Sequence, residues 1–293
     1  MFRRLLVFLA LALALPLAAQ PVGTSEPGAL RSDVRLNFFV FDNFFWSSDP
    51  ARERDTTALG TELRTAYRWS QSPAELYGHA HLVHYNDDDL DTAYGARLGI
   101  AQNAPVHDYN FYLEHAANRP SAPVRNTFGT SDITALSGRY AYQFSPAWQF
   151  GADGHIERQR FDGVQPRRDN NFRAVGAVAR YQGFGWRITP LAGVQAGARN
   201  FSETNDDFSQ RAIYGGVEWI PRDPLYLSAT LRNITRDFDQ GSDETDLQME
   251  LIASYSISPR LRGMGYFLRD DISVDNGEDF DTQILLLGIA YGF

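Results

Sequence analysis

The sequence predicts an all-β fold, a closed antiparallel β-barrel of about 14 strands, and three observations lead to this prediction. Apolar and polar residues alternate with a period of two in 14 segments between Val34 and Phe293, as in strands with one apolar face. Most of these segments have 10 to 15 residues. A strand that crosses a bilayer at a tilt needs about 9–11, whereas strands of soluble sandwiches usually have about 5–6. Short and long connections alternate, which is typical of transmembrane barrels.

The chain begins with a predicted signal peptide over residues 1–19. Arg3 and Arg4 give it a charged start, and Leu5–Leu15 is an apolar run of 11 residues. A helix that spans a bilayer needs about 20 residues, so this run fits an export signal and not a membrane anchor. Small residues follow, and we expect cleavage near Ala19. The sequence therefore predicts an exported chain with a periplasmic linker over 20–33 and a barrel over 34–293.

Six short and seven long, polar connections separate the predicted strands. Strand 56–70 shows the pattern, because Leu59 and Leu63 lie on one face while Glu62 and Arg64 lie on the other. In bacterial barrels the short turns lie in the periplasm and the long loops outside the cell. An even strand count then leaves both chain ends in the periplasm, and the same pattern fits a count of 12 to 16. The predicted strands are 34–46, 56–70, 75–86, 92–104, 109–117, 132–144, 148–160, 171–182, 186–201, 209–220, 225–238, 245–257, 261–270 and 281–293.

Aromatic residues cluster near both ends of the predicted strands, and we expect them to form two girdles, one at each membrane interface. The first group lies beside the short connections and the C-terminus: Tyr67, Trp69, Tyr142, Phe144, Trp148, Trp186, Trp219, Tyr291 and Phe293. The second group lies beside the long connections: Trp46, Phe161, Phe172, Phe201, Phe208, Phe238 and Phe280.

The last strand ends in an alternating series of apolar residues: Leu285, Leu287, Ile289, Tyr291 and Phe293. This series resembles the closing strand of bacterial outer-membrane β-barrels of the porin-like kind, and the resemblance extends over about 260 residues. It implies a location in the cell outer membrane, among its lipids and lipopolysaccharide, and recognition of this C-terminal series, which ends at Phe293, by the barrel assembly machinery. No subfamily is assigned, although exopolysaccharide-associated barrels look generally similar.

The alternation also predicts which charged residues face the lumen. The expected basic residues are Arg64, Arg68, Arg97, Arg139, Arg180, Arg187, Arg199, Arg232 and Arg269. The expected acidic residues are Glu62, Glu114, Asp153, Glu157, Glu218 and Glu250. Nine against six predicts a weakly positive lumen, although the net charge after signal removal falls from -9 to -11. Alternatively, these charges pair with one another and fill the lumen; a 14-strand barrel lies between filled 8-strand and open 16-strand barrels.

Several classes of chemistry find no support in the sequence. The chain has no cysteine, so disulfides, thiolate metal sites and cysteine nucleophiles are excluded. A sequence pI of about 5.1 argues against nucleic acid as a partner. His79 and His81 share a strand face, and Asp87–Asp91 is an acidic loop, but neither completes a metal-binding spacing. We find no G-x-S-x-G motif and predict no catalytic residue, no metal and no cofactor.

The sequence thus predicts a non-enzymatic channel for passive diffusion of small polar or anionic solutes. One alternative is a non-conducting structural barrel or an outer-membrane component of a secretion or exopolysaccharide-export system. An outer-membrane hydrolase is less favoured, because no Ser–His pair stands beside an acidic residue at a strand end.

Overall fold

The computed structural model describes residues 30–42, 55–69, 72–87, 90–120, 130–161, 169–184, 187–202, 207–275, 277 and 279–293. The predicted signal peptide, most of the predicted linker and parts of several long connections lie outside the described residues. Within them, no helix is long and apolar enough to cross a membrane.

The described residues form 14 strands that close into one antiparallel barrel, as the sequence predicts. Each strand pairs with its neighbours in the chain, and β1 pairs with β14 to close the sheet. Closure leaves no sheet edge, so every strand has a partner for its backbone groups on both sides. The strands are β1 Leu30–Asp42, β2 Thr56–Arg68, β3 Ala74–Tyr85, β4 Ala93–Asn103, β5 His107–Pro120, β6 Thr130–Ser145, β7 Trp148–Phe161, β8 Asn170–Tyr181, β9 Ile188–Phe201, β10 Phe208–Arg222, β11 Leu225–Phe238, β12 Glu244–Ser256, β13 Leu261–Val274 and β14 Phe280–Gly292.

β1 begins at Leu30, four residues before the predicted start, so residues 30–33 belong to the barrel and not to a linker. Their backbone is held in the sheet, because Leu30 pairs with Tyr67 and Ser32 exchanges two backbone hydrogen bonds with Phe293, of 2.9 and 3.2 Å. β13 likewise extends to Val274, beyond the predicted end at residue 270. Charged residues at these strand ends interrupt the apolar alternation, so hydropathy does not mark where pairing stops.

The outward face of the barrel is apolar, as a surface in contact with hydrocarbon must be. Large apolar side chains such as Leu98, Ile156, Val175 and Ile213 are exposed on it. An exposed apolar surface of this extent is unfavourable in water, so the outer wall supports a barrel that is embedded in a membrane.

Only one of the two expected aromatic girdles is present among the described residues. At the short-turn end, Tyr67, Trp69, Tyr142, Phe144, Trp148, Trp219, Tyr291 and Phe293 are exposed on the outside, which confirms the first girdle. Trp186 and Trp46 lie outside the described residues. The prediction of the second girdle is wrong for the other six: Phe161, Phe172, Phe201, Phe208, Phe238 and Phe280 point into the barrel. The parity of a position along its strand, and not its distance from a loop, decides which face it takes.

An apolar cluster fills one side of the barrel interior at the long-connection end. Its buried members come from β1 to β4, β13 and β14 and from the connection after β3: Phe39, Phe41, Ala58, Val83, Tyr85, Leu90, Ala93, Tyr266, Leu268, Ile284 and Leu286. Phe39 and Phe41 stack with their ring centroids 5.7 Å apart. The lumen wall is therefore apolar at this end on one side and polar elsewhere.

Candidate functional site: the lumen wall

The register of the strands determines which side chains line the lumen. Residues paired directly across an antiparallel ladder share a face. One row of such pairs runs through Asp33, Arg64, His79, Arg97 and Glu114, on β1 to β5 in turn. This row alone brings five titratable groups onto neighbouring strands, so the interior wall carries a band of closely spaced charge.

Most of the predicted lumen residues do face the lumen. Thirteen of the fifteen lie on the inward face, namely Glu62, Arg64, Arg68, Arg97, Glu114, Arg139, Asp153, Glu157, Arg180, Arg199, Glu218, Arg232 and Glu250. The two exceptions are Arg187 and Arg269.

Arg269 faces outward, contrary to the prediction. Its Nη2 lies 2.8 Å from Asp271 and 3.5 Å from Asp281, both on the outer face. The inward residues of β13 here are Leu268 and Asp270. Because one is apolar and the other charged, the alternation does not show which face of β13 points into the lumen. Arg187 lies in the short turn before β9 and not well inside a strand; its Nη1 donates to the carbonyl oxygen of Pro221 at 3.3 Å.

The parity of the strands places further charged residues on the inward face that the sequence reading missed. They are Arg31, Asp33, Arg35, Glu75, Asp108, Arg119, Arg236, Glu244, Asp246, Arg262 and Asp270. Arg31, Asp33, Asp108 and Glu244 lie one to three residues outside the predicted strands, where extending the same alternation would have found them. Arg119 lies beyond a register shift in β5 that reverses the alternation. The other six lie inside the predicted strands, and outside β13 the alternation there indicated their inward face. Among the described residues, the lumen face then carries twelve arginines and twelve carboxylates. The expected excess of positive charge is wrong.

Most of these charges are paired across neighbouring strands. Arg97 lies 2.7 Å from Glu114, and Arg236 lies 2.9 Å from Asp246 and 3.4 Å from Glu244. Charges that are shielded from water persist only with such partners. The lumen is therefore a polar wall of matched charges and not a surface of one sign.

The accessibility of the pairs changes along the barrel. At the short-turn end, Arg64 and Glu75 are 25% and 29% exposed at 2.5 Å, and Arg139 and Asp108 are each 25% exposed at 3.3 Å. At the long-connection end, Arg199 is only 6% exposed. These charged side chains are thus more accessible to solvent at the short-turn end than at the long-connection end.

A buried hydrogen-bond network holds the long-connection end together on β6 to β9. Arg199 Nη1 donates to Asn170 Oδ1 at 2.6 Å and to Gln159 Oε1 at 3.1 Å, and Gln159 Nε2 donates to Ser131 Oγ at 2.9 Å. The guanidinium also lies 4.7 Å from the centroid of the Phe172 ring, in a cation–π contact. A network satisfied in this way fixes its members in one arrangement.

Comparison with solved structures addresses the fold. No protein-family model and no curated protein sequence matches the chain. The OmpT loop-L8 deletion mutant, an outer membrane protein of Vibrio cholerae, aligns with a TM-score of 0.51 at 11% identity, over 92% of this chain and 100% of that one. The fold is that of a porin-like outer-membrane β-barrel.

Two further outer-membrane barrels align over similar lengths. A bacterial polysaccharide outer membrane secretin gives a TM-score of 0.58 at 9% identity, over 89% of this chain and 98% of that one. The deltaS2 mutant of the TodX monoaromatic hydrocarbon channel gives 0.52 at 9% identity, over 92% and 90%. These likenesses show that this chain shares its barrel fold with solved outer-membrane proteins.

Inward tyrosines accompany the arginines of the lumen wall. The guanidinium of Arg97 lies 4.2 Å from the Tyr112 ring centroid, and that of Arg64 lies 4.9 Å from the Tyr77 ring centroid. The Tyr77 hydroxyl donates to Asn110 Oδ1 at 2.7 Å. Each ring offers an apolar face beside polar groups, which suits solutes that have both hydroxyl groups and C–H faces.

Two of the inward histidines on the described strands, His79 and His155, contact a glutamate of the lumen wall. His79 Nε2 lies 3.2 Å from Glu62. His155 lies between Ser137 Oγ at 2.7 Å and Glu157 Oε2 at 3.4 Å, a contact that the sequence reading missed because these residues lie in mid-strand. Glu157 is also bound by Arg199. Ser137 lies in the middle of β6, whose backbone is paired with a neighbouring strand on both sides. Within the described residues, no group of three histidines and carboxylates is arranged to hold a metal ion.

Proposed function

We propose that this barrel is an outer-membrane channel for passive diffusion of small polar solutes, without enzymatic activity. The observation that carries the proposal is the set of partly exposed, paired charges on the lumen face at the short-turn end, such as Arg64 with Glu75 and Arg139 with Asp108. A barrel filled by its own side chains would bury these groups, whereas a water-filled path keeps them hydrated.

The charge balance refines the solute class. Because inward arginines and carboxylates are equal in number among the described residues, fixed charge gives little net attraction for either ion sign. The channel therefore favours small polar solutes of either charge or none, and anion preference is weak.

Cysteine accessibility tests the channel directly, because the native chain has no cysteine. Ser228 pairs with Glu218 on the lumen face, and its neighbour Ala229 pairs with Val217 on the outer face. In planar bilayers we expect a steady single-channel conductance that a charged thiosulfonate reagent reduces in Ser228→Cys and leaves unchanged in the matched control Ala229→Cys. Absence of any conductance in the native protein, or an equal effect on both variants, would overturn the proposal.

A second candidate function is export of a polysaccharide, and the arginine–tyrosine stacks of the lumen favour it. Tyr77, Tyr112 and Tyr214 each lie under a guanidinium on the inward face, and the fold resembles that of a polysaccharide outer membrane secretin. Oligosaccharides added on the periplasmic side would then interrupt the current for milliseconds, and Tyr112→Ala would shorten the interruptions. Current noise that is unchanged by oligosaccharides would eliminate this candidate.

A further inference from the structure

A group of outward-facing arginines lies on one side of the barrel, at the upper edge of its apolar band. Arg158 on β7, Arg173 on β8 and Arg211 on β10 are all exposed on the outer face. Each is the first outward residue beyond the last large apolar one of its strand, which is Ile156, Val175 and Ile213 respectively. The three guanidinium groups therefore lie at the boundary between hydrocarbon and lipid headgroups.

Register places the three arginines close to one another. Arg173 pairs with Ile156, two residues below Arg158 on the adjacent strand. Arg173 also pairs with Ala198 on β9, which in turn pairs with Ser209 on β10. Ser209 lies two residues from Arg211, on the side of the long connection. With neighbouring strands about 4.8 Å apart, the group spans about 14 Å of the barrel wall. We call these three residues the outer arginine patch.

The charge of the outer arginine patch is poorly neutralised by the protein. Among the described residues, no carboxylate lies within 4 Å of Arg158, and Arg173 has only a 3.5 Å hydrogen bond to Asn200 Oδ1. Arg211 lies 3.7 Å from Asp237, but the two side chains are 79% and 45% exposed, and such pairs contribute little. Like charges on neighbouring strands repel one another, so this arrangement is unfavourable unless an anion lies against it.

Another outward arginine, three strands beyond β10, is neutralised by the protein itself. Arg269 on β13 is also the first outward residue beyond an apolar one, Phe267, and it contacts Asp271 and Asp281. It needs no external anion. Both sites begin just beyond the apolar outward residues of their strands, and they differ in charge balance: Arg269 is paired with two carboxylates, whereas the outer arginine patch is not.

We propose that the outer arginine patch is a docking surface for the phosphate groups of lipopolysaccharide in the outer leaflet. Guanidinium groups bind phosphate through two parallel N–H···O bonds, and several of them can hold a glycolipid that carries more than one phosphate. The patch lies at the long-connection end, where outer-membrane barrels meet the outer leaflet. A bound lipopolysaccharide molecule would then stay in contact with the outer surface of β7 to β10.

The test measures binding of purified lipopolysaccharide to the folded full chain in detergent micelles. In the triple variant Arg158→Gln, Arg173→Gln, Arg211→Gln we expect the Kd to rise at least tenfold. The matched control Arg269→Gln should change it less than twofold. Enzymatically dephosphorylated lipopolysaccharide should bind the native chain as weakly as intact lipopolysaccharide binds the triple variant. The heat-dependent shift in electrophoretic mobility verifies folding of each variant.

Three results would overturn the proposal: an unchanged Kd in the triple variant, an equal loss in Arg269→Gln, or equal binding of phosphatidylglycerol and lipopolysaccharide by the native chain. If the triple variant does not fold, the single variants Arg173→Gln and Arg173→Lys decide. We expect at least a threefold loss for glutamine and a smaller one for lysine, which keeps the charge but not the paired donors. No loss in Arg173→Gln would also contradict the proposal.

Discussion

Glu62 is the residue at which three lumen side chains meet. Its Oε2 lies 3.1 Å from Arg35 and 3.2 Å from His79, and its Oε1 accepts a hydrogen bond from Asn37. The glutamate and the arginine are both largely shielded from water. Removing one of them therefore costs more stability than removing both, because it leaves a shielded charge without its partner.

Glu62→Ala should therefore lower the free energy of unfolding by about 3 kcal/mol, because it leaves the Arg35 guanidinium without this carboxylate. The double variant Arg35→Ala, Glu62→Ala should recover part of the loss. Urea titration of the folded barrel in lipid vesicles measures both values. Arg211→Gln, on the exposed outer wall, serves as the control and should change stability by less than about 1 kcal/mol. Additive losses from Arg35 and Glu62 would show that the two are not coupled.

Reversal of the partly exposed arginines should change ion selectivity. Arg139→Glu with Arg180→Glu places two carboxylates beside Asp108 and Glu218, so the reversal potential in a salt gradient should move towards cations. The effect should fade as salt rises, since the Debye length is about 10 Å at 0.1 M and about 3 Å at 1 M. The outward pair Arg173→Glu with Arg211→Glu is the matched control. An unchanged potential in the inward pair would remove these arginines from the conduction path.

At the level of the strands, the sequence predicts most of the barrel because alternation is strong wherever one face meets lipid. In β2, Leu59 and Leu63 contrast with Glu62 and Arg64, and both the strand and its inward face follow from that contrast. The contrast is lost where apolar side chains also face inward. In β13 the inward Leu268 next to the outward Arg269 led to the wrong face for Arg269. The pattern of a single strand also does not reveal that an apolar residue such as Phe39 packs inside the barrel.

The register between strands is the second feature of the lumen wall that the sequence alone does not predict. Ser137, His155 and Glu157 meet because β6 and β7 align in one register, and a shift of one residue would move each to the other face. The cross-strand ion pairs of the lumen depend on register in the same way. The predicted list of lumen residues was therefore mostly right, while their partners required the structure.

The C-terminal strand allows a test of its assembly role. The Phe293 side chain is exposed on the outer wall, and its backbone bonds to Ser32 do not depend on the side chain. Phe293→Ala should therefore reduce the amount of barrel that reaches the membrane in cells, while the variant that does fold keeps nearly native stability. Phe144→Ala, which removes an exposed aromatic side chain from the short-turn end of β6 and lies outside the C-terminal series, should leave the amount unchanged. Normal membrane levels of Phe293→Ala would contradict an assembly role.

The apolar cluster inside the barrel at the long-connection end should narrow the conduction path. Phe41→Ala removes a buried ring from it, so we expect a loss of about 3–5 kcal/mol in stability and a higher single-channel conductance. Phe38→Ala removes an outward ring from the same strand and should leave conductance unchanged. If Phe41→Ala conducts like the native chain, the cluster lies outside the narrowest part of the path.

For the whole molecule, topology follows from the alternation of long and short connections. Gly241 lies in the connection between β11 and β12, with a φ of 123° and open space around it, so an inserted epitope tag meets no packed neighbour. The tag should bind antibody on intact cells, whereas one inserted after Asp223, in the short turn between β10 and β11, should bind only after the outer membrane is permeabilised. The reverse result would invert the orientation of the barrel.

The level at which the outward arginines begin also determines how thick a membrane this barrel fits. On β7 the apolar outward stretch runs from Trp148 to Ile156, about 26 Å along the strand at about 3.3 Å per residue. With the usual tilt of about 35–45°, that is a hydrophobic thickness of about 20 Å, below the band of about 25 Å usual for such barrels. Thicker bilayers would have to compress around β7 to β10, at a modest cost for each ångström of mismatch. The β7 side of the barrel is thus matched to a thin membrane, and insertion of the barrel should slow as the acyl chains of the host lipid lengthen.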